Sequence, residues 1–262
     1  MNETDWKPDL YLKFNKERIQ PSIDLVSRID FENPLKIIDI GCGPGNSTQI
    51  IRKRWVNSKI IGIDSSPAMI EKASSDFPDQ EWKVVDAGVD EINGEFDIVF
   101  SNAVIQWIPD HYKLLTKLKS ILTSDGLLAI QLPLFFEMPL GKSIAKVAKR
   151  CLWSSEIDKV TELFIINDYS FYYDSLVELF DTVEMWVTDY IHVFDSHLSI
   201  IEMMRSTGLK PYLEKLQSEG SRKQFEDLVL KEIVNDYPLQ RDGKVLLPFK
   251  RLFFIAKRDK HT

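Results

Sequence analysis

Lys36-Ile37-Ile38-Asp39-Ile40-Gly41-Cys42-Gly43-Pro44-Gly45-Asn46-Ser47 is the stretch that decides the fold. Its short β-branched run suits a strand buried on both faces, the glycines make a sharp turn, and residues 47–55 then read as a helix. The same alternation recurs downstream. Residues 59–63 end at Asp64, 82–85 at Asp86, 96–100 at Ser101 and 126–132 at Pro133. Between them, Ser66 and Pro67 have the chemistry of an N-cap and a first helical position. Residues 111–122 put Leu114, Leu115, Leu118, Ile121 and Leu122 on one helical face. Strand–helix alternation of this kind predicts an α/β fold with an open parallel sheet.

Beyond residue 133 the pattern changes. Residues 136–180 read as helical and mixed, 183–190 as a strand, 196–236 as helices broken near Gly208 and Gly220, and 246–257 as a final strand. With no internal repeat and no low-complexity linker, residues 1–262 are expected to form a single domain. Residues 1–30 would be an N-terminal cap segment and 31–133 a ligand-binding core. Residues 134–181 and 192–245 would be helical cap or substrate insertions, and 246–257 the last strand.

Composition narrows the function. The 262 residues are 44% hydrophobic and 28% charged, enough for a sizeable core. Lys+Arg 33 against Asp+Glu 40 gives a net charge of −7, which argues against a general nucleic-acid or membrane-surface binder. Two cysteines, Cys42 and Cys151, make no disulfide framework and fit a reduced, cytoplasmic setting. The first thirty residues carry too many charges for a signal peptide, and the apolar stretch 127–136 is interrupted by Gln131 and Pro133. The four histidines lack zinc-ligand spacing, so no metal is expected.

In an open parallel sheet, ligands bind outside the carboxyl ends of the strands. The turn at Gly41, Gly43 and Gly45 is spaced G-x-G-x-G, whereas a dinucleotide fingerprint, G-x-G-x-x-G, would need glycine at position 46, which is Asn46. That departure favours a ligand without a pyrophosphate. Asp64 can accept from two ribose hydroxyls, unless it merely caps the next helix, a task open to Ser65 or Ser66. Asp86, by itself an ordinary loop aspartate, can accept from an adenine amino group. Ser101, Asn102 and Ala103 follow the fourth run. Successive strand ends thus offer groups suited to an adenosine nucleoside. Cys42 reads as a small residue in a tight place, because no activating partner is evident.

Residues 39–48 (DIGCGPGNST), 62–69 (GIDSSPAM) and 101–107 (SNAVIQW) resemble class I S-adenosylmethionine-dependent methyltransferases. More narrowly, residues 6–11 (WKPDLY), Phe14, Arg18, 107–112 (WIPDHY), 206–211 (STGLKP) and 251–254 (RLFF) resemble the trans-aconitate 2-methyltransferase family. The resemblance covers residues 6–132 well and roughly 200–257 fairly. It implies a Rossmann-like, mostly parallel sheet of seven strands with helices on both faces and an antiparallel last strand. It implies S-adenosyl-L-methionine held by Gly41, Cys42, Gly43, Asp64, Ser65, Asp86, Ala87 and Asn102. The activity implied is formation of a methyl ester on a small polycarboxylic acid, trans-aconitate first, by alignment and without a general base.

Anchors for the other carboxylates would come from Tyr11, Arg18, Lys210 and Arg251, with Arg205 and His111 as further candidates and Trp107 as a pocket wall. Residues 134–180 show little family likeness, and Lys210 stands where an arginine is expected, which removes a planar, bidentate fork. A different acceptor, such as a malonyl thioester on a carrier protein or a small phenol or amine, and a non-catalytic S-adenosylmethionine-binding protein are the alternatives. The net negative charge means that a polyanionic substrate must be met by a local basic cluster.

Overall fold

The computed structural model describes residues 15–150, 157, 160 and 163–258, with backbone alone for 15–18. The chain divides into two compact units. The first takes 1–132, 167–187 and 252–262; the second takes 133–166 and 188–251.

The first unit carries most of a seven-stranded sheet ordered β3-β2-β1-β4-β5-β7-β6. Its strands are β1 (Lys36–Ile40), β2 (Lys59–Asp64), β3 (Glu81–Val84), β4 (Phe96–Asn102), β5 (Leu122–Pro133), β6 (Thr182–Phe194) and β7 (Val245–Lys257). Strands β3, β2, β1, β4 and β5 pair in parallel, with Ile38 opposite both Ile61 and Val99. Strand β7 runs the other way. Arg258 N–H donates to Gly126 O, and Leu134 N–H donates to Lys250 O, so partner numbers fall along β7 as they rise along β5. This is the Rossmann-like, mostly parallel seven-stranded sheet with an antiparallel last strand that the sequence led us to expect.

Burial explains the apolar runs. Ile37, Ile40, Ile98, Phe100, Leu128 and Ile130 are all fully buried, because helices cover both faces of a parallel sheet. The helices of this unit are α1 (Asn15–Arg28), α2 (Asn46–Arg54), α3 (Pro67–Asp76) and α4 (His111–Ser120). Ser66 caps α3 as expected, accepting from Met69 N–H at 3.2 Å, with Pro67 in the first turn.

One boundary differs from the sequence reading. Helix α4 stops at Ser120, and Leu122 already belongs to β5. Leu122 pairs with Phe96 and Leu127 with Ile98, so an irregularity absorbs the intervening residues. Thr123 Oγ1 donates to Asp97 Oδ1 there at 3.2 Å. Strand β6 is also longer than the expected 183–190, because its alternating burial continues to Phe194.

The second unit is largely helical: α5 (Pro139–Ala148), α7 (His197–Met204), α8 (Lys210–Lys215) and α9 (Glu219–Asp236), while α6 (Tyr169–Leu179) belongs to the first. Phe225, Val229 and Ile233 recur at helical spacing along α9 and are fully buried, like Leu140, Ile144 and Val147 on α5. Tyr237 OH accepts from Leu140 N–H at 2.9 Å. Among the described residues no helix is long and apolar enough to cross a membrane.

Candidate functional site

The chain reverses its direction of travel across the sheet between β1 and β4, since β2 and β3 lie on one side of β1 and β4 and β5 on the other. Such a switch point opens a crevice at the carboxyl ends of the strands. The expected residues fall there, in the first unit. Gly41 follows β1, Asp64 ends β2, Asp86 lies two residues past β3, and Asn102 ends β4.

Gly41 and Gly43 have φ of +68° and +54°, the left-handed region that glycine tolerates best. A Cβ on Gly41 would lie 2.2 Å from a methyl of Val104, so only glycine lets the two loops meet. A Cβ on Gly43 would meet nothing within 4 Å, so space is open beside the turn. Cys42 is buried, and burial pushes its thiol well above the usual range, which keeps it protonated and poorly nucleophilic.

Asp39 is a charged residue inside the apolar run that the sequence reading passed over. It is fully buried, and its Oδ2 accepts from Ser47 Oγ and Thr48 Oγ1, both at 2.6 Å. Its Oδ1 is buried without a hydrogen-bond partner among the described residues. Burial drives its pKa up to about 7; the two hydroxyls pull down and the nearby Asp64 charge adds to the rise. A carboxylate among the isoleucines of β1 was the signal that could have found it.

Asp64 ties the turn to the next helix. Its Oδ2 accepts from Gly43 N–H and its Oδ1 from Ser66 N–H, each at 2.9 Å. Ser65 beside it is exposed. The loop after β3 is closed on itself: Asp86 Oδ1 accepts from Gly88 N–H at 2.8 Å, and Asp86 N–H donates to Asp90 Oδ2 at 2.8 Å. Asp86 is exposed and Ala87 buried. On β4, Asn102 Oδ1 is buried without a partner among the described residues. Ala103 then takes φ +59°, a strained value for a residue with a Cβ, and its carbonyl accepts from Gln106 Nε2 at 2.7 Å.

The substrate candidates belong to both units. Tyr11 lies outside the described residues, and so does the side chain of Arg18 on α1. Trp107 ends a single 3-10 turn, Ile105–Trp107, and is half-buried in the first unit. In the second unit, Lys210 Nζ lies 2.9 Å from Glu214 Oε1 on α8. Arg205 is engaged by Glu226, with Nε donating at 2.6 Å and an Nη at 2.8 Å. Arg251, on β7, is buried with its guanidinium carbon 4.6 Å from the centre of the Phe249 ring. Burial and the Arg251 charge together push His192 down to about 4.

His111 is not available to a substrate carboxylate. It is buried at the start of α4, with Nε2 2.8 Å from Ile105 O and Nδ1 2.7 Å from Tyr172 OH. Ile105 O can only accept, so Nε2 carries the proton and Nδ1 accepts from the phenol. Among the described residues no three histidine, cysteine, aspartate or glutamate side chains group as metal ligands.

Comparison with known proteins agrees with this geometry. The family model for a methyltransferase domain matches residues 11–214. The chain is 40% identical over 255 residues to a trans-aconitate 2-methyltransferase of Escherichia coli O7:K1, covering 97% of this chain and 99% of that protein. It is 37% identical over 257 residues to the protein of the same name from an Enterobacter species, with 97% and 99% covered. In fold it is similar to the YcgJ protein of Bacillus subtilis, with a TM-score of 0.61, 14% identity, and 92% of this chain and 99% of that one covered. It is also similar to a Brevibacillus brevis polyketide O-methyltransferase, with a TM-score of 0.54, 14% identity, and 95% and 75% covered. A methyltransferase domain over most of the chain, and relatives matched from end to end, mean that the chain belongs to the trans-aconitate 2-methyltransferase family.

Proposed function

We propose that this protein is an S-adenosylmethionine-dependent carboxyl methyltransferase of the cytoplasm whose substrate is a small polycarboxylic acid, trans-aconitate. The observation that carries the reading is 40% identity across 97% of the chain to a trans-aconitate 2-methyltransferase.

The residues present fit an adenosyl ligand with an amino-acid tail. Open space beside Gly43 admits a chain running close to the backbone. Unpartnered buried oxygens of Asp39 and Asn102 are acceptors for donors on a ligand, and an unfilled one is costly. In this assignment Gly41, Cys42 and Gly43 line the amino-acid end, Asp64 and Ser65 take the ribose hydroxyls, Asp86 and Ala87 meet the adenine, and Asn102 faces the donor. When bound, S-adenosylmethionine supplies a methyl group on a positively charged sulfur.

The acid needs no general base, because a carboxyl group of pKa about 4 is already ionised near neutral pH. The chain's work is then to bind, align and keep water out, since a wet site favours separated charges over their neutralisation. Arg251 and Lys210, with Arg18 and Tyr11, are assigned to the other carboxylates, and Trp107 to a wall. Arg251 brings a buried guanidinium on an aromatic face, a rigid fork that suits a carboxylate, and Lys210 brings an ammonium 2.9 Å from Glu214.

The test is incubation with methyl-labelled S-adenosylmethionine and a panel of di- and tricarboxylic acids, followed by identification of labelled esters. We expect label on trans-aconitate. Label on a different acid alone would replace the substrate and keep the reaction; label only on a phenol, amine or carrier-protein thioester would overturn both.

A further inference from the structure

Lys117 on α4 does something unusual for a helix-surface lysine. Its ammonium donates to Ala87 O at 2.8 Å and also to Asp90 O, residues thirty and 27 positions away. Holding a lysine chain in one geometry costs side-chain entropy, so such side chains ordinarily remain mobile in solvent. Here the cost is met by two main-chain acceptors on the loop after β3.

That loop needs help. It packs two carboxylates, Asp86 and Asp90, into five residues, and it is wound tightly: Val89 N–H and Asp90 N–H both donate to Asp86 O. Its own hydrogen bonds consume the Asp86 and Asp90 side chains but leave the Ala87 and Asp90 carbonyls to be satisfied from outside. A cation docking on those carbonyls satisfies them and offsets the loop's negative charge. It also fixes the loop to α4, the helix whose first residue, His111, holds the following loop through Ile105 O.

We infer that Lys117 is a positioning residue for adenine recognition: it clamps the Asp86–Asp90 loop in the conformation that presents Asp86 and Ala87 to the base. The inference rests on the proposed placement of the adenosyl ligand at the strand ends. The ammonium makes no contact with the ligand in this assignment and acts only through the loop.

The test is calorimetric binding of S-adenosylmethionine and of 5′-methylthioadenosine, which shares its adenosine half, to wild type, Lys117→Met, Lys117→Arg and Asp64→Ala. Lys117→Met should weaken both ligands by the same factor, about tenfold, the scale of one charge-assisted hydrogen bond. Lys117→Arg should restore most of the affinity, since a guanidinium also donates to two carbonyls. The melting temperature of the ligand-free Met variant should stay near that of wild type. Unchanged affinity in Lys117→Met alongside weakened binding in Asp64→Ala would overturn the clamp and spare the site. Loss of affinity that follows a fall in melting temperature, without rescue by arginine, would reduce Lys117 to a structural role and also overturn it. Unchanged affinity in both Lys117→Met and Asp64→Ala would remove the ligand placement itself.

Discussion

Asp64 binds two backbone N–H groups with one carboxylate, and this gives its removal two separable consequences. Asp64→Ala leaves Gly43 N–H and Ser66 N–H without their acceptor, so unfolding free energy should fall by about 1–3 kcal/mol in urea titrations. If the same carboxylate takes the ribose hydroxyls, affinity for S-adenosylmethionine should fall by more than about tenfold, beyond what the lost stability explains. Unchanged affinity would remove the ribose assignment. Asp64 was legible in the sequence because its position depends on local rules: a β-branched run ends, and the next residue sits at the sheet's carboxyl edge. The glycines were legible for the same reason, since their φ values belong to a single turn. Lys117 was not, because its partners lie far off in sequence and a lysine on a helix reads as solvated. Arg205 and Lys210 were read as carboxylate anchors; Glu214, one helical turn on, lies beside Lys210, while Glu226, which lies beside Arg205, is 21 positions away and could not be assigned to it from the sequence.

Helix α4 concentrates the structural work of the site's second half. Its N-cap, Asp110, sits at φ +58° and accepts from Lys113 N–H at 3.1 Å, and the buried His111 follows at once. Burial lowers the His111 pKa below its ordinary 6.5. The sign follows directly. Above about pH 6.5 both folded and unfolded chains hold the imidazole neutral, so it contributes no pH dependence. Below that, the unfolded chain takes the proton first, and stability falls as pH drops. Asp39 works in the opposite sense: with its folded pKa near 7 against 3.8, the native state takes the proton first, and stability rises as pH falls. A total slope therefore mixes the two, and a variant isolates one. The unfolding free energy of wild type minus that of His111→Gln should shrink between pH 7.5 and 5; a constant difference would mean that the imidazole is not held neutral. At this scale the apolar periodicity gave every parallel strand, but it overran the end of α4. Ile121 and Leu122 continue the helical pattern, and only pairing with Phe96 shows that Leu122 has left the helix.

For the whole molecule, ligand binding should appear as stability. S-adenosylmethionine at about 100 times its dissociation constant adds about 2.7 kcal/mol to the unfolding free energy if only the native state binds it. A clear rise in melting temperature is expected with S-adenosylmethionine and none with a nicotinamide dinucleotide, because Asn46 stands where that fingerprint needs its third glycine. The reverse pattern would overturn the ligand class. The break near residue 133 was legible in the sequence, where strand–helix alternation stops, but the return of later segments to the first unit was not. Residues 167–187 and 252–262 return to the first unit from deep inside the second half of the chain, and that depends on long-range strand pairing. The position of β7 has a further consequence, for synthesis on the ribosome. Strand β7 is last in sequence but sits between β5 and β6. Until residues 245–257 have left the exit tunnel, β5 keeps an open edge and β6 has no neighbour to join. Nascent chains thus pass through translation with two strands waiting on a third, an interval in which a chaperone that covers exposed strand edges has most to do.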